Sequence, residues 1–256
     1  MKSAQRKRGK PLASRAVQVA FLIVLAVLWY LATTRWKVSP LLLPNPLRVL
    51  GDFWDIVKTG EFLGDLRVTL TELALAFAMS ASCGIAAGYL ISRTQYCIRV
   101  FEPLFSAIYA VPIILFLPLY VLFFGLGPAS KIALGATISF FPIALSTVAG
   151  FGNVDKVLVT AARSMGASDL KLFRYVLLPA AFPIIMTGLR MGFTVALLSI
   201  IGSETIASLA GLGHRIVHLA EGMEMARMFA YIVFVVAIAA ILNTLASMLE
   251  ARGRRF

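Results

Sequence analysis

The sequence predicts an all-α membrane protein with six transmembrane helices and both termini in the cytoplasm. Three observations carry that expectation. Only 14% of the 256 residues are charged and the mean hydropathy is +0.89, whereas a soluble domain carries about 25% charged residues. Six apolar runs, near 17–35, 70–92, 100–124, 132–151, 183–203 and 228–249, match the roughly 20 residues that a helix needs to cross a hydrocarbon core. Basic residues are placed asymmetrically. Of the 24 lysines and arginines, fifteen fall in the N-terminus, the Arg93–Arg99 loop, the 152–182 segment and the C-terminal tail, against eight in the alternate connections and Arg190 inside a run. That bias puts the richer set in the cytoplasm. It divides the chain into a basic N-terminus (1–16), one membrane domain (17–251) and a basic tail (252–256). The net charge of +12 does not point to nucleic acid, because the basic residues are interrupted by apolar runs and form no continuous surface.

The first run follows "MKSAQRKRGKPLASR", which resembles the charged start of a signal peptide. The run is as long as a span and ends in "TTRWKVSP" without a small-residue cleavage pattern, so a retained helix is expected. The connection that follows is broken at Pro44 and Pro46. Beyond it Leu50, Phe53, Trp54 and Val57 recur at helical spacing, predicting an amphipathic helix on the membrane surface or against another subunit. The third run contains Pro112 and Pro118, which should kink or interrupt it. Broken helices at membrane depth need protein or a cavity to satisfy the freed backbone. Tyr109 and Pro112 are therefore candidates for a translocation path or a subunit contact, with a passive kink as the alternative. "GLGPASK" falls short of a phosphate-binding loop, because Ser130 stands where glycine precedes the lysine and Ile132 where a hydroxyl follows it. Cys83 and Cys97 fit no metal spacing.

The most polar interior stretch is "TAARSMGASDLKLFRYVLLP". Asp155 and Lys156 open a short helix, Gly166 stops it, Ser168 caps a second with Asp169 near its positive end, and Pro179 ends that one. The insert at 155–176 is then a helix–turn–helix lying along the cytoplasmic surface, with Val157, Leu158, Ala161 and Ala162 as an apolar, small-residue face suited to a partner's cleft.

This stretch resembles the loop of bacterial ATP-binding cassette (ABC) importer permeases with the pattern E-A-A-x3-G-x9-I-x-L-P. Thr160-Ala161-Ala162, Gly166, Val176 and Leu178-Pro179 keep every spacing, with Thr160 replacing the acid and Val176 the isoleucine. "LLLPNPLRVL", "AVPIILFLPLYVLFFGLGPASKI" and "GLRMGFTVALLSIIGSETIASLAGLG" are similar to the nitrate, sulfonate and taurine branch of these permeases. Glu72 departs from it, standing where a basic residue is expected. The resemblance implies a type I ABC importer permease fold in the inner membrane. It implies a pair of these chains forming the translocation path for a small, anionic solute. Two ATPase subunits would bind ATP and magnesium, leaving this chain without cofactor or catalytic residues. A periplasmic or lipid-anchored binding protein would deliver the solute. The implied ATPase-docking residues are Val157, Leu158, Thr160, Ala161, Ala162, Arg163, Gly166, Ala167, Ser168, Leu178 and Pro179. The rival, a self-sufficient secondary transporter or channel, is disfavoured because the two halves show no repeat with paired broken helices.

In the fifth run, steps of about 100° per residue place Thr187, Arg190, Thr194, Leu197, Ile201 and Glu204 in one sector and Gly188 and Gly192 opposite. The polar stripe must face protein or water, and Thr187, Arg190, Thr194 and Glu204 are candidate path residues. Arg190 either attracts an anion or pairs with an acid, with Glu102 as a partner. The glycine seam permits close helix approach, with Gly84 and Gly88 as its partner or as a similar contact. His214, His218 and Glu221 recur at i, i+4 and i+7, which suggests a metal site but suits the polar face of a short helix better.

Overall fold

A computed structural model describes residues 11–36 and 38–253. The stretch 1–10, Lys37 and 254–256 lie outside the described residues, and with them most of the basic N-terminus and tail. Every regular element among the described residues is helical: α1 (Pro11–Thr34), α2 (Pro46–Thr59), α3 (Leu63–Ser92), α4 (Gln95–Ala110), α5 (Leu117–Phe124), α6 (Pro128–Gly152), α7 (Lys156–Ser164), α8 (Asp169–Leu172), α9 (Leu178–Ile206), α10 (Leu212–Glu221) and α11 (Met225–Gly253). A 3₁₀ turn, Ile113–Phe116, precedes α5, and a π turn, Phe173–Leu177, joins α8 to α9.

α3, α6, α11 and the run from α8 through α9 (Asp169–Ile206) are long and apolar enough to cross a membrane. α4 and the segment Ile113–Phe124 pass the same test together but meet at 70°. That makes four spans, or five with the bent pair counted as one. The first expected span is α1, whose apolar part, Ala20–Thr34, is shorter than the others. The expected third helix is thus not continuous. Pro112 has no N–H to carry the ladder past Val111, and Pro118 sits in the first turn of α5, where proline is tolerated.

α6 is the central helix. A Cβ on Gly88 of α3 would lie 2.5 Å from Thr147 Cβ and 2.7 Å from the Ala144 carbonyl of α6. On the other side, a Cβ on Gly188 or Gly192 of α9 would lie 2.3 Å from Ser146 Cβ or 2.5 Å from Ile143 Cγ1. The two glycine seams therefore do not meet each other: each receives α6. Where lipid removes the hydrophobic drive between helices, such close backbone approach supplies the packing energy.

α2 buries a second apolar face within the chain and leaves exposed most of the face expected to meet the membrane surface or another subunit. Val49 and Ile56 are buried with Phe53 against Tyr231, Phe234 and Val235 of α11, while Leu50, Trp54 and Val57 stay exposed. Asn45 caps this helix by accepting from the Leu47 N–H at 2.9 Å, and Trp29 of α1 donates to the Pro44 carbonyl at 3.0 Å. The joint between α2 and α11 is closed by Glu61, which accepts from Arg227 Nη2 at 2.5 Å and from the Tyr231 hydroxyl at 3.1 Å. Burial alone raises the Glu61 pKa; the hydrogen bonds and charge of Arg227 and the Tyr231 hydroxyl outweigh it and hold the carboxyl below its ordinary value. A depressed carboxyl stabilises the fold above its unfolded-state pKa and loses that contribution as pH falls through the folded-state value. Glu61→Ala is expected to cost about 1–3 kcal/mol at neutral pH, with the gap from wild type closing on acidification. Thermal unfolding of the detergent-purified chain against pH measures it, and a gap unchanged at acid pH would refute the ionic origin.

Candidate functional site

Two groups of side chains stand out, one at each end of the long helices. The insert end holds α7 and α8, with the last turns of α3 and α6 beside them. Asp155 caps α7, accepting from the Val157 N–H at 2.8 Å. The turn after α7 closes when Gly166 N–H donates to the Arg163 carbonyl (2.9 Å) and Ala167 N–H to the Ala162 carbonyl (3.0 Å). Gly166 takes φ +76° with open space around it, a left-handed conformation that costs other residues about 1–2 kcal/mol.

Two expectations about this insert are corrected. Ser168 has the extended backbone of a cap, but its side chain makes no capping hydrogen bond. Pro179 does not end the second helix. The Leu178 N–H reaches back to the Phe173 carbonyl, one residue beyond the α-helical partner, and this wider π turn carries the chain past the proline. Pro179 falls in the first turn of α9, so α8 leads directly into α9.

The face of the insert also differs from expectation. Val157 (69% exposed), Leu158 (51%), Thr160 and Ala161 point outward, but Ala162 is buried. Met165 (81%) and Leu170 (75%) extend the exposed apolar crest. Met165 continues the helical spacing of Leu158 and Ala161, whereas Leu170 lies beyond the turn, outside that period. Arg163 lies 4.0 Å from Asp169 with both side chains well exposed, a pair that contributes little to stability. Beneath the crest, Tyr89 packs edge-on against Phe151 and Phe173, which stack on each other, at centroid distances of 4.9 to 6.0 Å, with Leu172 buried beside them. This cluster fastens the insert to α3 and α6.

The polar stripe of α9 faces α11. The Arg190 guanidinium donates to Glu250 at 3.0 Å, the Thr187 hydroxyl reaches the same carboxylate at 3.0 Å, and Thr194 lies 3.3 Å from the Asn243 side-chain oxygen. The acid that pairs with Arg190 is thus Glu250, not Glu102. Sequence reasoning missed Glu250 and Asn243, although Asn243, Ser247 and Glu250 recur at i, i+4 and i+7, a polar stripe at helical spacing that could have marked them. Tyr109 packs on Phe141 at 6.4 Å, and Pro112 stands exposed at the helix break.

Glu204 lies at the far end, where it is 1% exposed. It accepts from the Thr69 hydroxyl (2.6 Å) and the Gly213 N–H (2.7 Å), holding the turn from α9 into α10 against α3. It lines no open wall here. Lys131, from the phosphate-loop near miss, is fully buried and donates to the carbonyls of Leu126 and Gly127. His214 and His218 stand with ring centroids 6.3 Å apart. No group of three metal-capable side chains, His214, His218 and Glu221 included, forms among the described residues.

A family model described as the binding-protein-dependent transport system inner membrane component matches residues 66–255. The chain belongs to that family. Among this permease's relatives, the taurine transport system permease protein TauC of Escherichia coli is 32% identical over 232 residues, covering 89% of this chain and 84% of the relative. The putative aliphatic sulfonates transport permease protein SsuC of Bacillus subtilis is 28% identical over 253 residues, covering 98% and 92%. The riboflavin transport system permease protein RibX of Chloroflexus aurantiacus is 29% identical over 230 residues, covering 90% and 85%. Among solved structures, an inward-facing methionine ABC transporter matches with a TM-score of 0.62 at 18% identity, covering 78% of this permease and 96% of that chain. An amino acid ABC transporter matches with a TM-score of 0.63 at 24% identity, covering 79% and 97%. The permease thus shares the ABC importer fold.

Proposed function

We propose that this permease forms, as a two-fold pair, the translocation path of an ATP-driven importer for a small sulfonate-type anion. Two ATPase subunits dock on the α7–α8 insert, bind ATP and magnesium, and do the hydrolysis; the permease itself is not catalytic. The pair lies in the inner membrane with six spans per chain, termini and insert cytoplasmic, and a binding protein at the far end supplies the solute. The observation that carries this reading is the apolar crest of Val157, Leu158, Met165 and Leu170, exposed on an insert that an aromatic cluster anchors. Apolar side chains raised on an anchored loop suit burial in a partner's cleft. The relatives named for taurine and aliphatic sulfonates support the solute class, and selection among related solutes is assigned to the binding protein.

The aim of α7 depends on the turn at Gly166. A Cβ at Gly166 would meet nothing within 4 Å, so the cost expected for Gly166→Val is the left-handed backbone term of about 1–2 kcal/mol, relieved by re-aiming α7. The variant is expected to insert normally, yet lose most ATP-coupled uptake or release its ATPase. Uptake, ATPase retention and membrane insertion measured on one preparation test this. Full coupling in the variant would remove the insert from the mechanism.

A further inference from the structure

Glu72 is 1% exposed, and among the described residues neither of its carboxyl oxygens has a hydrogen-bond donor. Unsatisfied buried carboxylates are costly, and this one stands beside a second acid. Thr69, one turn before Glu72 on α3, donates to Glu204 at 2.6 Å, and both acids are 1% exposed, which brings Glu204 beside Glu72. Two carboxylates have no proton between them to donate, so their contact requires one to be a carboxylic acid. The surroundings decide which. Glu204 already receives the Thr69 hydroxyl and the Gly213 N–H from the first turn of α10, donors that favour its ionised form. Glu72 receives none.

The other charged groups around the pair agree. From α6, Lys131 is buried and its ammonium is spent on the Leu126 and Gly127 carbonyls, with its charge felt by both acids. From α3, Asp65 accepts from the Gly211 N–H at 3.2 Å and adds negative charge near Glu204. α10 turns its Arg215 away, over the Tyr231 ring at 5.8 Å. Among the three buried groups, the Lys131 ammonium, one carboxylate and one neutral acid sum to zero, and the negative charge of part-buried Asp65 opposes a second carboxylate further. Two carboxylates would leave these groups negative in a setting of low dielectric.

We propose that Glu72 and Glu204 form a proton-binding site at the far end of the bundle, with the proton on Glu72 donated to Glu204. The site governs the turn between α9 and α10. Glu204 is the acceptor that holds this turn, together with Thr69, which accepts from the Leu212 N–H at 3.0 Å. The fit is tight: a Cβ on Gly211, whose φ is +108°, would fall 2.3 Å from a Glu204 oxygen. Loss of the proton places two like charges in contact, and the least encumbered relief is for Glu204 to swing out and release the turn. Alkaline surroundings therefore loosen the end of the permease that faces the incoming solute.

Infrared spectroscopy and amide exchange on the purified full chain in lipid nanodiscs test the proposal. The wild type should show the C=O stretch of a protonated carboxylic acid at neutral pH, and Glu72→Gln should lack that band. A neutral-pH wild type without the band overturns the proposal by itself, whatever the variants do. As pH rises, the band should fade while exchange in residues 207–213 speeds up. Glu72→Gln keeps a donor to Glu204 and cannot ionise, so at the same alkaline pH its turn should exchange about tenfold or more slowly than wild type, the effect of one hydrogen bond to a charged group. Glu72→Leu fills the space without a donor and should leave the turn unprotected at neutral pH. Equal protection in Glu72→Leu and Glu72→Gln would reduce Glu72 to a packing role and overturn the proposal.

Discussion

Glutamates at both Val157 and Leu158 are expected to strip the ATPase from the permease and lower uptake by about a hundredfold or more. The two side chains are 69% and 51% exposed, and exposed substitutions change the stability of a fold by about 0.5 kcal/mol or less. The bundle should therefore insert and purify normally. At the proposed interface the balance is different. Burying a valine or leucine is worth about 1.5–3 kcal/mol, and each tenfold in affinity is about 1.4 kcal/mol. Losing two such contacts, and burying two unpaired carboxylates in their place, exceeds a hundredfold. In the proposed two-fold pair the second copy would carry the same change. Copurification of the ATPase and solute uptake in vesicles report it together. Retention of both by the double variant would show that the crest is not where the ATPase docks, while leaving family membership untouched.

The second large effect is Gly88→Ala. The added methyl would meet Thr147 Cβ at 2.5 Å and the Ala144 carbonyl at 2.7 Å. One of those atoms belongs to the backbone, so no rotamer change relieves the clash and α3 must move off α6. Overpacking of this kind costs about 1–3 kcal/mol. The same helix supplies an internal control. Gly64, in the first turn of α3, has nothing within 4 Å of its added Cβ, so Gly64→Ala should gain about 0.5–1 kcal/mol from helix propensity. Thermal unfolding of both variants should move in opposite directions. If both rise, the closeness of α3 and α6 is not what their glycines serve.

Both predictions combine what is legible in the chain with what is not. The spans centred on α3, α6, α9 and α11 were readable because a hydrocarbon core demands length and apolarity, and those are sums over a window. The break at Pro112 was readable because proline lacks a donor wherever it falls. The turn at Gly166 was readable from its spacing within the insert. Each of these depends on residues adjacent in sequence.

The partners of those residues depended on the third dimension. Gly88 and Gly188 each suggested a close approach, but only packing chose α6 as the helix that both receive. Arg190 demanded an acid, and the choice of Glu250 over Glu102 depended on α11 lying beside α9. Ala162 turned inward because the insert sits on Tyr89, Phe151 and Phe173, which come from three separate elements. Glu72 stood out in the sequence as an acid in an unexpected place; its meaning came from Glu204, brought beside it from more than a hundred residues away in the chain. By itself the sequence determined the kind of molecule and the location of its helices, since the bilayer reads local composition. The tertiary structure decided which charges meet, because charge pairing depends on distance in space, and helix packing sets those distances.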